Sequence, residues 1–476
     1  MKNISANKLK VQQAMDKVAP KRDIYIRRSL YYYKNLIRLF NFNIPAGSRV
    51  LEIGCGTGFL LNAIKPSYGV GIDISLPMIE KAKQNYPHLH FIAMDAEELS
   101  LNETFDYIVI SDTLGYLEDI QKVFSAMKCA ITPSTRIIIS YHSFLWEPLL
   151  GIMQKLRLKM PHHRLNWLNR DDVMNLLALE GYDVVKSGRR FIFPVYIPIV
   201  SWFLNKYISY LPIFNLLCLT GYIIARKPSA FEAENQLSVT VIIPARNEKG
   251  NIEDAVKRVP EMGKHTEIIF VEGNSTDDTL NEIKRVCEEY KDIRDVKFLV
   301  QDGKGKGDAV RKGFDHATGD ILMILDADLT VPPEDLPKFY NAIATGNGEY
   351  INGTRLVYPL EDEAMRTLNM LGNKFFSVMF SWLLGQRIKD TLCGTKVLTA
   401  ENYRKLSANR SYFGDFDPFG DFDLIFGSAK MNLKLIEVPI RYRARKYGET
   451  NISRFKHGWL LLKMVVYAMN KIKFIR

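Results

Sequence analysis

Four apolar runs in the second half of the chain each stop at a polar or glycine-rich cluster: "VTVIIPA" from Val239, "TEIIFVE" from Thr266, "VKFLV" from Val296 and "DILMIL" from Asp320. The first three lead into sequence of helical period. Such alternation calls for an open α/β sheet, whose ligands bind beyond the carboxyl ends of its strands. The fourth run ends in Asp326-Ala327-Asp328. Two carboxylates this close repel each other unless a cation lies between them. Alone, such a pair is turn chemistry. At the end of a buried strand, behind three polar loops, it reads as a hard-oxygen site for Mg²⁺ or Mn²⁺ that also uses the oxygens of a diphosphate. A metal there neutralises the charge that develops on a nucleotide-diphosphate leaving group. The loop "DGKGKGDA", 302–309, adds positive charge nearby.

At 476 residues the chain exceeds one ordinary core. The polar stretch "KPSAFEAENQ", 227–236, divides a domain over 1–226 from one over 237–476. A hydrophobic share of 47% with 25% charged residues excludes both a disordered chain and a multi-span membrane protein. Cys55, Cys129, Cys218, Cys287 and Cys393 are scattered without metal-ligand spacing, which suggests a reducing compartment. No apolar run near Met1 reads as a secretory signal. The formal charge is +11, and from Lys430 onward twelve Lys and Arg face only Glu437 and Glu449. Interleaved with "GWLLLKMVVYAM", this tail reads as an interfacial helix on the cytoplasmic face of a membrane rather than as a nucleic-acid arm. Tyr207 to Ala225 is free of charge and long enough to span, but it contains Pro212 and Asn215 and closes on a strand-like "TGYIIAR".

The first half places a strand at Val50–Ile53, a turn at Gly54, Gly56 and Gly58, and a helix from Phe59. Glycines there let backbone approach a ligand at a helix start. Asp73 ends the next strand, where a carboxylate can take two ribose hydroxyls, and Asp95 follows the third, placed to meet an adenine amino group. The G-x-G-x-G spacing disfavours a nicotinamide dinucleotide. Over about 40–226 this half resembles the class I S-adenosylmethionine-dependent methyltransferases, through "EIGCGTG", "GID" and "MDAEEL". The resemblance implies a Rossmann-like seven-stranded sheet, with S-adenosylmethionine held by Glu52, Gly54, Gly56, Gly58, Asp73, Asp95 and Ala96. It leaves the methyl acceptor open. His142, after "TRIIISY", and His162 and His163 are candidate bases for a hydroxyl acceptor.

The second half, over about 237–476, resembles the family 2 glycosyltransferases of the GT-A fold, and within them the dolichol- or polyprenyl-phosphate sugar transferases. "VIIPARNE", "GKGDAVRKGF", "GDILMILDADLT", "NGTR" and "VPIRYRARKYGETNIS" carry the match. The resemblance implies inverting transfer from a GDP- or UDP-sugar. Pro244, Ala245, Arg246, Glu248, Glu272, Asn274 and Lys306 would lie along the nucleotide sugar, Ala327 beside it, and Asp326 and Asp328 at the metal. Where the family has V-D-D-G-S, this chain has Val271-Glu272-Gly273-Asn274-Ser275, and Asn451 replaces a usual lysine.

A lipid monophosphate is largely dianionic at neutral pH and needs cations more than a base. Arg355, Lys396 and Arg445 are the candidates to hold it. A glycan hydroxyl would instead need a base such as Asp421 or Asp423, and with that reading goes a first half that binds its cofactor without catalysis. The apolar stretch 366–387 suits either core packing or guidance of a polyprenyl chain.

Overall fold

The computed structural model describes residues 5–155, 160, 166, 168–228, 236–355, 357, 367–412, 422–445, 447 and 454–474, without the side chains of 367–371, 411 and 454–457. His162, His163, Asp421 and Asn451 lie outside the described residues. The chain divides into two compact units, Met1–Pro228 with Phe474–Arg476, and Ser229–Lys473.

Unit 1 contains β1 (Arg49–Ile53), β2 (Tyr68–Asp73), β3 (His90–Ala93), β4 (Tyr107–Ser111), β5 (Arg136–His142), β6 (Asp183–Arg190) and β7 (Thr220–Arg226). They form one sheet in the order β3-β2-β1-β4-β5-β7-β6. Neighbours from β3 to β5 are parallel, while β7 runs antiparallel to both β5 and β6. Both faces are covered, so the parallel strands are apolar throughout. Leu51 and Ile53 enter one core cluster and Val50 the opposite one. Each such aliphatic side chain contributes about 1.5–3 kcal/mol by leaving water. Tyr207–Ala225 is not a span. It breaks into a 3₁₀ turn at Ile208–Tyr210, a short helix Pro212–Leu216 and β7. Among the described residues no helix is long and apolar enough to cross a membrane.

Unit 2 contains β8 (Val239–Ala245), β9 (Thr266–Glu272), β10 (Asp295–Val300), β11 (Ile321–Ile324), β12 (Tyr350–Thr354), β13 (Lys396–Thr399) and β14 (Leu435–Pro439), ordered β10-β9-β8-β11-β13-β12-β14. β10, β9, β8 and β11 are mutually parallel, so their carboxyl ends share one edge. β13 is antiparallel to β11, which returns its first residue, Lys396, to that same edge. Alternation along β11 sends Ile321 and Met323 into one core and Leu322 and Ile324 into the other.

The C-terminal helix Arg454–Ala468 has one face packed against protein. Leu461, Met464, Val465 and Ala468 are buried in the same cluster as Phe376, Phe380, Leu383 and Leu384 of the helix Thr367–Leu384. Their spacing is the one that keeps a stripe on a single helical face. Trp459, Leu462 and Val466 on the tail helix, with Phe375 and Val378 on the other, remain exposed.

Candidate functional site

In unit 1 the strand ends open into a cavity of about 670 Å³, a size suited to one nucleoside-sized ligand. Glu52, Gly54, Gly56, Asp73, Asp95 and Ala96 line it. The turn after β1 requires glycine. Gly54, Gly56 and Gly58 have φ of 76°, 52° and 78°, a region other residues enter only with strain. A Cβ on Gly54 would sit 2.4 Å from Thr113 Oγ1, and one on Gly58 2.6 Å from the Phe91 ring. Gly58 thus shapes the turn without lining the cavity. Gly56 N–H donates to Asp73 Oδ2 at 2.9 Å and Ser75 N–H to Asp73 Oδ1 at 2.9 Å, which fixes that carboxylate at the rim. Burial nonetheless holds the Asp73 carboxyl above its usual range.

Glu52 is buried, and its Oε2 has no hydrogen-bond partner among the described residues. Burial, chiefly, pushes its pKa to about 8. Glu52 lines the cavity while one of its oxygens is unpartnered, which leaves hydrogen-bonding capacity for a ligand. The residues present therefore fit S-adenosylmethionine, which carries hydrogen-bond donors.

Three helices ahead of β1, Ala6–Val18, Arg22–Arg28 and Leu30–Asn43, supply groups that the sequence reading passed over. Lys8 Nζ lies 2.6 Å from Asp95 Oδ2 and 2.8 Å from Glu97 Oε2, so Asp95 already carries a cation. Tyr32 donates to Asp112 Oδ2 at 2.5 Å and Ser140 Oγ to Asp112 Oδ1 at 3.2 Å. His142 Nδ1 stands 3.8 Å from Asp112 Oδ1, and its ring stacks on Tyr32 with centroids 5.5 Å apart. Asp112 is held at φ 53°, a conformation that non-glycine residues adopt at a cost. A carboxylate collecting two hydroxyls and an imidazole on the wall of a ligand cavity is an arrangement for holding and moving a proton.

In unit 2 the parallel strand ends bring most of the expected residues together. Asp326 Oδ1 lies 2.5 Å from Lys306 Nζ, the first residue of the helix Lys306–His316. Although burial works the other way, Lys306, Lys396 and Arg355 hold the Asp326 carboxyl below its usual range. Asp328 Oδ2 accepts from Arg445 at 2.7 Å, and the same guanidinium reaches Glu248 Oε1 at 3.0 Å. Asp328 Oδ1 accepts from Thr330 N–H and Oγ1 at 3.1 and 2.8 Å. Ala327 is buried between the two aspartates. Among the described residues no group of three or more His, Cys, Asp or Glu has metal-holding geometry. The donor set is thus two hard carboxylates beside cations, which fits Mg²⁺ or Mn²⁺ only when a diphosphate supplies further oxygens.

β8 ends at Pro244, Ala245 and an exposed Arg246. Glu272 does not face outward. Its oxygens accept from Asn274 N–H at 3.1 Å and Ser275 N–H at 2.6 Å, so it ties the loop in which Asn274 takes φ 55°.

Other expected cations are more occupied than the sequence suggests. Arg355 makes a two-pronged pair with buried Asp390, at 2.6 and 2.8 Å, and lies over the Tyr442 ring. Lys396 has 0% exposure and donates to the Cys393 carbonyl, so it acts on Asp326 from within rather than as a surface clamp. Asp423 belongs to a second polar cluster. It accepts from Arg410 at 3.0 Å, and Arg410 lies over Tyr403, whose hydroxyl donates to Asp315. Asp390, missed by sequence reading, carried one available signal, its place three residues before Cys393-Gly394-Thr395-Lys396. Gly394 was missed as well. A Cβ there would lie 2.0 Å from Asp326 Oδ2 and 2.6 Å from Lys306 Nζ.

Residues 25–187 match the family model of a methyltransferase domain, and residues 240–403 match that of glycosyl transferase family 2. The glycosyltransferase AglJ of Haloferax volcanii is 26% identical over 226 residues, 47% of this chain and 69% of that protein. A dolichol-phosphate mannosyltransferase of Pyrococcus furiosus is 38% identical over 223 residues, 46% of this chain and 60% of the relative. An undecaprenyl-phosphate 4-deoxy-4-formamido-L-arabinose transferase of Edwardsiella ictaluri is 36% identical over 237 residues, 48% of this chain and 66% of the relative. By their names the last two differ in both the sugar and the lipid. The chain spans between 39 and 69% of the length of the curated relatives it matches.

Proposed function

We propose, for a chain that joins a methyltransferase domain to a family 2 glycosyltransferase domain, that unit 2 moves a sugar from a GDP- or UDP-sugar onto a polyprenyl phosphate at a membrane surface. Unit 1 in this reading transfers a methyl group from S-adenosylmethionine. The observation that carries the first part is the convergence of Asp326, Asp328, Glu248, Lys306 and Arg445 at the carboxyl edge of the β8–β11 sheet. Pro244, Ala245 and Arg246 lie along the donor at the end of β8, beside the loop that Glu272 and Asn274 shape. Asp326 and Asp328 would hold a divalent cation, which would supply positive charge opposite the diphosphate. Lys306 adds a second positive charge on that side. Arg445, now shared between Asp328 and Glu248, is the cation placed to meet an acceptor phosphate. Lys396 and Arg355 set the charge balance around Asp326 from below. A dianionic phosphate attacks without a general base, and Asp423, a candidate base for a glycan hydroxyl, is paired with Arg410.

In unit 1 Asp73 takes the ribose and Glu52 the charged end of the cofactor, which supplies an electrophilic methyl group. The cavity's task is alignment and exclusion of water. His142, oriented toward Asp112, takes the proton of a hydroxyl acceptor.

The test is to incubate the full chain with Mg²⁺, a short polyprenyl phosphate and a panel of GDP- and UDP-sugars, reading products by mass spectrometry. One nucleotide sugar should give a glycosyl phospholipid, and EDTA or Asp328→Asn should abolish it. Transfer that persists through both treatments removes the metal from the reading, and the absence of product from every donor removes the reading itself.

A further inference from the structure

Residues 191–217 of unit 1 are built inside out. Their small polar side chains point inward. Ser201 and Ser209 have 0% exposure and donate to the carbonyls of Ile197 and Asn205 at 2.6 and 2.7 Å. Asn205 Nδ2 donates to Phe193 O at 2.8 Å, and Asn215 Nδ2 reaches Arg189 O and Ser209 O at 2.8 Å each. Phe191 anchors the stretch in the core, while many of the large apolar side chains after it point outward. Ile199 is 79% and Ile213 77% exposed, with Trp202, Phe203, Leu216 and Leu217 near half. Leu149 and Ile152, exposed on the helix Glu147–Lys155, add to the apolar surface of this unit.

Scattered surface aliphatics are normal, but a continuous outward-facing run is not. The side chains of Ser201, Ser209, Asn205 and Asn215 already bond within the unit, so moving the lobe into a poorly hydrating medium strands none of these four. Lys206 is the single charged residue between 191 and 217. Its Nζ lies 5.1 Å from the Trp202 ring centre and 5.4 Å from that of Tyr207. Tryptophan and tyrosine with a lysine at the rim is the composition that settles at a lipid headgroup layer. Charge agrees with this, for no Asp or Glu occurs between 184 and 228, so anionic headgroups meet no like charge from that stretch. Val195 and Tyr196, exposed on this lobe, also line the cofactor cavity, as does Pro194 before them.

We infer that this lobe seats unit 1 on an anionic bilayer, and that the methyl acceptor is an amphiphile whose head enters the cavity past Val195 and Tyr196. The docking half stands on the lobe alone. The acceptor half rests on the methyltransferase reading of the cavity.

The experiment compares flotation of the full chain on phosphatidylcholine vesicles with and without phosphatidylglycerol. It uses wild type and the variant carrying Ile199→Ser, Trp202→Ser, Ile213→Ser and Leu216→Ser, with S-adenosylmethionine calorimetry on both as the check on folding. Wild type should float better on the anionic vesicles, and the variant should lose roughly tenfold or more in partitioning with unchanged cofactor affinity. If the variant does not fold, quenching of wild-type tryptophan fluorescence by brominated lipid, reduced in Trp202→Phe, reads the same contact. Equal flotation of a folded variant, or no Trp202 quenching, overturns the docking of unit 1 while leaving membrane association through unit 2 standing. A wild-type chain that floats on neither vesicle overturns both, whereas sugar transfer to a soluble acceptor is judged apart. A concentration-dependent dimer that the four substitutions abolish, without flotation, assigns the lobe to a second copy and overturns the bilayer. With methyl-labelled cofactor and membranes, label in the organic extract supports the acceptor class. Label confined to water-soluble material, or none, overturns it.

Discussion

Glu52 and Gly394 show what a single side chain decides here. Glu52 keeps its proton in the folded chain up to about pH 8, because burial disfavours its charge, whereas its ordinary value is 4.5. Between those values the folded state binds the extra proton, so its contribution to stability falls as pH rises through that window and is level above it. Glu52→Gln should flatten the decline and leave the cofactor-free chain more stable at pH 9 by on the order of a few kcal/mol. Denaturant melts of both proteins at pH 5, 7 and 9 measure this; a constant offset between them at all three would refute it. Gly394→Ala is the sharper probe of unit 2. With 2.0 Å between the added Cβ and Asp326 Oδ2, the carboxylate must move. Sugar transfer should drop by roughly a hundredfold, the scale on which small misplacements act, with an unchanged melt. The aspartate pair stood out in the sequence because it ends an apolar run behind three polar loops that close parallel strands. Gly394 was not, because its constraint is the distance to Asp326, across the boundary between β11 and β13. Arg355 was legible as a cation but not as one paired with Asp390, thirty-five residues away.

At the scale of elements, β1, the end of β2 and β8–β11 were legible to within a residue or two, since short β-rich runs closed by glycine or acid are strong strand signals. The helices over 6–43 carry Lys8 and Tyr32 to the unit 1 cavity, and nothing in their period says what they cover. The tail is subject to the same limit. An amphipathic helix has one apolar face, and sequence cannot say whether protein or lipid covers it. In the structure Leu461, Met464 and Val465 meet Phe376 and Phe380, so Leu461→Ala should destabilise the chain by about 2–5 kcal/mol through lost burial and a cavity. Val466→Ser, on the exposed side, should change stability by no more than about 0.5 kcal/mol. Together with Trp459→Ser it should weaken vesicle binding instead. Urea melts and vesicle flotation on the same proteins separate the faces; equal destabilisation by Leu461→Ala and Val466→Ser would mean that the helix is packed on both.

The described residues form two sheets, one in each unit, and each unit carries a candidate ligand site of its own. Asp73 is fixed by Gly56 and Ser75, and Asp328 by Thr330 and Arg445, so neither carboxylate depends on groups from the other unit. Perturbations that share no partners add. Asp73→Ala should therefore weaken S-adenosylmethionine binding by roughly 1.5–3 kcal/mol, the worth of a charge-assisted hydrogen bond, while sugar transfer proceeds at the wild-type rate. Asp328→Asn should do the reverse, and the double variant should reproduce each loss unchanged. Calorimetry for the cofactor and product counting for the sugar, run on all four proteins, close the cycle. A double variant whose cofactor affinity or turnover departs from the sum would require that one unit senses the state of the other. Independence would instead make the covalent link a matter of effective concentration, with two transferases delivered to the same lipid surface and no signal passing between them.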